Sequence, residues 1–166
     1  MTKWLLSVGF ILMVFASSSM AQSKTSLVGT WRLVSVTVTN EKGEVKDVFG
    51  PNPDGFIAMT GDGGMSIIMT RSGRKLLSSV ANASTEEMAA AFSSSLAYAG
   101  RYTLRDDKMI IHIEACTTPN FVNTEDTRHV KIEGDRLTML WYFDKEGSAP
   151  YYEYIWERLK PVAATK

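Results

Sequence analysis

In MIIHIEAC, residues 109–116, His112 and Glu114 stand two apart in an otherwise apolar run. On a strand that spacing puts both on one face, an imidazole beside a carboxylate. Arg128, in EDTRHVKIEG, shares a face with Val130 and Ile132, while His129 shares the other with Thr127 and Lys131. Lys131 marks the second face as wet, which leaves His129 to solvent and turns Arg128 inward. With His112 and Glu114 turned inward too, adjacent strands bring an imidazole, a carboxylate and a guanidinium to one level of an interior. Such a cluster can orient a carboxylate or carbonyl ligand, or act as acid and base, and a charge there has to be paired. The opposite assignment, Glu114 and Arg128 as an ordinary cross-strand pair on the outside, differs by one slip of register, and the sequence leaves both open.

The elements that must position these groups are strands. Turn signals recur at NEKGE (40–44), GPNPDG (50–55), GDGG (61–64), RDDK (105–108), EGDR (133–136) and DKEGSAP (144–150). The runs between them are rich in Val, Ile, Thr, Tyr and Trp. Eight strands are expected, at about 29–39, 55–60, 64–71, 99–104, 108–116, 126–133, 136–143 and 150–159. One helix is expected between the third and fourth, at about 85–98. Ser84 and Glu87 there have capping-box spacing, and Met88, Phe92 and Leu96 fall on one stripe. The seventh strand is apolar on both faces, with Met139 and Trp141 on one and Leu140 and Tyr142 on the other. That suits a barrel wall packed outside and hydrophobic inside.

The chain has 166 residues, 22% charged, with no net charge. One domain is expected, and no basic surface for nucleic acid. The first 21 residues combine Lys3, an apolar run from Trp4 to Ala16, and the small residues of Ser19-Met20-Ala21. They read as a cleaved signal peptide, leaving a domain at 22–166 and an exported, periplasmic or secreted protein. The run is shorter than the roughly 20 residues of a membrane span, so none is expected after cleavage. Cys116 is the only cysteine. No internal disulfide can form, and no metal site or cofactor is expected.

The ordered set LVGTWRLVSVTVTNEKGEV, FGPNPDGFIAMTGDGGMSIIM, STEEM, AYAGRYTL and IHIEACTTPNFVNTEDTRHVKIEGDRLTML resembles the bacterial and fungal lipocalin-like domain proteins of the calycin superfamily. The resemblance implies an all-β, up-and-down antiparallel barrel of about eight strands with a pocket. It also implies a structural plug at the closed end. There Gly29 and Trp31 of the GTW signature meet Arg158 of YIWERL, the guanidinium lying across the indole.

The function expected is binding of a small hydrophobic or amphipathic molecule in the lumen. His112, Glu114 and Arg128 would grip its polar end, with Tyr102, Met139 and Trp141 also lining the site. The second reading is an isomerase or cyclase using His112 and Glu114 as acid and base. Haem binding through His112 or His129, and a purely structural envelope domain, rank below these. Oligomeric state is not legible.

Overall fold

The computed structural model describes residues 27–144 and 147–160. The leader read at 1–21 lies outside them. Among these residues nine strands, one α-helix and a short 3-10 turn at Pro119–Phe121 follow in order: β1 (Gly29–Thr39), β2 (Val45–Asp47), β3 (Asp54–Met59), β4 (Gly64–Thr70), α1 (Thr85–Ser93), β5 (Ser95–Arg105), β6 (Lys108–Cys116), β7 (Glu125–Glu133), β8 (Arg136–Tyr142) and β9 (Tyr151–Arg158). From β3 onward each strand pairs with the next, and β1 pairs with both β3 and β9. The result is the expected antiparallel barrel of eight strands. The short β2 is an addition, hydrogen-bonded to Thr37–Thr39 of β1. Its sequence, Val-Lys-Asp, is exposed throughout, which is why apolar patterning gives no sign of it.

The helix therefore follows the fourth strand, not the third, and ends at Ser93 instead of residue 98. The expected capping box is present, with Glu87 N–H donating to Ser84 Oγ at 3.2 Å and Ser84 N–H to Glu87 Oε2 at 2.8 Å. Three serines end it: the hydroxyls of Ser93, Ser94 and Ser95 donate back to the carbonyls of Ala90 and Ala91, offering the backbone an exit from helical bonding. The following residues join β5, where Leu96 pairs with Met69 and Tyr98 with Ile67. No residue of α1 is buried, and Met88 and Phe92 are each 54% exposed. The apolar stripe read from the sequence does not pack into the core.

Alternation assigns the strand faces. Met65, Ile67 and Met69 of β4, Met109, Ile111 and Ile113 of β6, and Leu137 and Met139 of β8 point inward and are buried. At Gly100, opposite Ile113, an added Cβ would lie 2.0 Å from the His112 carbonyl oxygen, so only glycine permits the close approach of β5 and β6 at that irregularity.

One end of the barrel is shut. Trp31 is fully buried, and its indole N–H donates to the Leu27 carbonyl at 3.0 Å. The Arg158 guanidinium carbon sits 3.9 Å from the Trp31 ring centroid, and Nη1 donates to the Val28 carbonyl at 2.9 Å. Gly29 has φ +131, and a Cβ there would stand 3.0 Å from Arg158 Nη1. Gly29→Ala is thus expected to cost about 1–3 kcal/mol, from backbone strain together with displacement of the guanidinium. Urea unfolding measures it, and a loss below about 0.5 kcal/mol would show that Arg158 swings aside freely.

Candidate functional site

The opposite end, where Thr39, Thr70, Cys116 and Tyr142 end their strands, is the mouth. Below it, β7 turns Asp126 and Arg128 inward, two residues apart on one face. Arg128 is buried, its side chain only 10% exposed, and its Nη2 lies 2.5 Å from Asp126 Oδ2. The guanidinium carbon also lies 5.4 Å from the centroid of Trp141 and 5.3 Å from that of Tyr154. A planar cation between two aromatic faces, tied to a carboxylate, satisfies most of what burial takes from it. Arg128 Nη1 is the exception: it is buried and has no hydrogen-bond partner among the described residues. A buried donor left unmet costs about 1–3 kcal/mol, which an arriving acceptor would recover.

Burial raises the Asp126 carboxyl above its ordinary value. Arg128 and the Trp141 and Thr127 N–H groups pull it only part of the way back. An acid raised in the fold stabilises it below the ordinary carboxylate range and loses that contribution as pH rises through the raised value. Burial also raises the hydroxyl of Tyr98, against the opposing field of Arg128, and lifts that of Tyr154 to about 12. Both phenols are therefore neutral hydrogen-bonding groups at physiological pH.

A pocket of about 190 Å³ opens beside this pair, between Leu96 and Tyr98 of β5, Ile113 of β6, Phe121 and Thr124 of the β6–β7 connection, and Asp126 and Trp141. Arg128 lies one inward step deeper than Asp126 on the same strand. Below that level, side chains fill the barrel: Trp156, Leu137, Met109 and Ile57 are all fully buried. The lumen is a shallow apolar cup with an ion pair at its inner end.

This geometry corrects part of the expected site. His112 and Glu114 are exposed on the outer face of β6, because Met109, Ile111 and Ile113 take the inner one. They do not join Arg128, and the acid–base pair of the isomerase reading is not formed in the lumen. His129 is also outside, its Nδ1 3.0 Å from Asp107 Oδ2, so neither histidine offers a haem ligand to the interior. Tyr102 is inward, but its hydroxyl donates to the Thr60 carbonyl at 3.1 Å, at the closed end and far from the mouth. Met139 is buried inside, opposite Val130 and Tyr154, and Trp141 forms the pocket wall. Asp126 and Tyr98 were not anticipated. Asp126 was legible, since it precedes Arg128 by two residues on the same face.

Cys116 is a free thiol, partly buried opposite Tyr98. Among the described residues no group of three or more His, Cys, Asp or Glu side chains is placed to hold a metal. No helix among them is long and apolar enough to cross a membrane.

A single antiparallel barrel, plugged at one end and cupped at the other, is the architecture of a lipocalin-like protein. The profile of the lipocalin-like domain family matches residues 28–159, and the chain belongs to that family. Similar solved structures include a lipocalin-like protein from Bacteroides uniformis (17% identity, TM-score 0.43) and an uncharacterized protein from Bacteroides eggerthii (16%, 0.43). Each comparison covers 80% of this chain and 98% of the other. Among curated proteins no match was found.

Proposed function

We propose that this protein binds a compact, mostly apolar molecule in the mouth pocket, with a neutral hydrogen-bond acceptor directed at Arg128. Asp126 lines the cup, and its partner Arg128, one inward step deeper on the same strand, keeps an unpartnered Nη1; that buried pair beside an apolar pocket carries this reading. The acceptor is neutral because Asp126 already balances the Arg128 charge. The body is compact because 190 Å³ is below the volume that drug-sized ligands fill. The apolar leader supports export. Recovery from the periplasm of a protein lacking residues 1–21 tests that part.

Acetophenone and ethylbenzene test the binding. They share a ring and differ in one carbonyl oxygen. By calorimetry acetophenone is expected to bind the wild type about tenfold more tightly, the value of one hydrogen bond to a charged donor. In the Arg128→Met/Asp126→Asn double variant, which leaves no unpaired charge on the pocket wall, the difference should vanish while ethylbenzene keeps its affinity. Equal affinity of the two probes for the wild type would remove Arg128 from the site.

A further inference from the structure

The connection from β4 to β5 lies at the mouth, where Thr70 ends one strand and Ser95 begins the next. It consists of a loop, residues 71–84, and α1, and the loop runs back alongside the helix. Arg74 donates from Nε to Ser94 Oγ at 3.1 Å and from Nη2 to the Ala91 carbonyl at 3.2 Å, at the helix end. Further along, Ser78 gives its N–H and its hydroxyl to the Glu87 carboxylate at 2.8 and 2.9 Å, near the helix start. A groove of about 420 Å³ stays open between loop and helix, because α1 offers only the short side chains of Ala90 and Ala91 to Leu76 and Leu77. The apolar residues of this connection are left in water. Leu76 and Val80 are each 94% exposed, more than any other large apolar side chain among the described residues, and Met88 and Phe92, one helical turn apart, are exposed too. A single apolar side chain on a surface needs no explanation, but four in one connection mark an interaction site.

The charges beside them are of one sign. From Arg71 to Thr85 the sequence has three cations, Arg71, Arg74 and Lys75, and no carboxylate. None of the three forms an ion pair among the described residues. Arg71 lies over the Phe49 ring, 5.8 Å from its centroid, and Arg74 holds the helix carbonyl. The next acids, Glu86 and Glu87, are taken up in the first turn of α1, Glu87 by Ser78 and Ser84 and Glu86 by the Ser84 hydroxyl and its own N–H. There the positive end of the helix dipole offsets them. A second copy meeting this layer face to face would therefore bring no spare carboxylate to the cations. An anionic surface with an apolar interior answers both features. We propose that the β4–β5 connection docks on an anionic lipid bilayer. Leu76, Val80, Met88 and Phe92 enter the boundary between head groups and acyl chains, and Arg71, Arg74 and Lys75 meet the lipid phosphates. Leu96, just past the helix, lines the mouth pocket, so docking brings the mouth to the membrane. The docking does not depend on what the pocket binds.

The test uses vesicles of phosphatidylcholine with and without about one-third phosphatidylglycerol. In sedimentation the protein should bind the anionic vesicles about tenfold more tightly than the neutral ones, and the preference should fall in high salt. Leu76→Gln/Val80→Gln changes only exposed side chains, so the barrel should stand, while binding to anionic vesicles weakens about tenfold. Lys75→Glu should remove about fivefold or more of the anionic preference. Leu76→Trp locates the contact, because brominated acyl chains should quench its emission beyond any quenching of the wild type. Equal binding by the wild type and Leu76→Gln/Val80→Gln, or no extra quenching in Leu76→Trp, would overturn the proposal. Self-association without vesicle binding, abolished by the same double change, would overturn it in favour of a second copy.

Discussion

Trp31→Ala is expected to lower the unfolding free energy by about 3–5 kcal/mol, the range for removing a fully buried large aromatic. Three losses coincide there. The indole is completely buried at the closed end of the barrel. Its N–H bond to Leu27 disappears. Arg158 loses the ring 3.9 Å beneath it, a contact worth roughly 0.5–2 kcal/mol. Urea unfolding of Trp31→Ala, Arg158→Met and the double variant separates these terms. The double variant should be less destabilised than the sum of the singles, because either change alone breaks the stacked pair. Strict additivity would mean that cation and ring contribute independently. A loss below about 1 kcal/mol in Trp31→Ala would show that the closed end does not depend on its plug.

Arg128→Met is expected to cost about 3–5 kcal/mol at neutral pH, because it leaves the Asp126 carboxylate buried without its cation. The pH dependence identifies the cause. Losing Arg128 pushes a carboxyl already raised by burial still higher. Protonated Asp126 is neutral and needs no counter-charge. The penalty should therefore shrink as pH falls through the raised value and grow as it rises. Asp126→Asn in the Arg128→Met background should restore most of the loss at pH 7. Unfolding of all three proteins at about pH 5 and pH 7 checks this. An equal penalty at both values, without rescue, would assign the loss to the missing stack on Trp141 and Tyr154.

The fold was largely legible because its determinants are local. Turn residues recur at short spacing, β-branched and aromatic runs lie between them, and Gly29, Trp31 and Arg158 stand at the two ends of the ladder order. The site was less legible. Ile110, on the face of His112 and Glu114, made that face look apolar enough to be inner. Ile111 and Ile113 opposite were equally suited, and in a strand apolar on both sides one slip exchanges every side chain. For Arg128 the sequence left both faces open, and Lys131, which marks the neighbouring face as wet, was the one signal for the inward side that it takes. Its partner was sought in Glu114 on the preceding strand, although Asp126 stood two residues away. The helix end hung on three serines whose bonds to Ala90 and Ala91 compete with a stripe that reads as continuous.

The seam that closes the cylinder joins the first strand to the last. Eight residue pairs run from Trp31/Arg158 to Thr39/Tyr151, and the bond from Arg158 to the Val28 carbonyl spans 130 positions of sequence. Until the final strand is in place, β1 has no partner on that side, and the plug lacks its cation. The barrel therefore cannot close before that strand is available, however well the intervening hairpins form. Closure is a late, long-range event, of the kind that places β-rich domains in the millisecond-to-second range of folding times. A chain cut short before residue 151 would expose two long unpaired edges at once, a template for self-association rather than a smaller barrel.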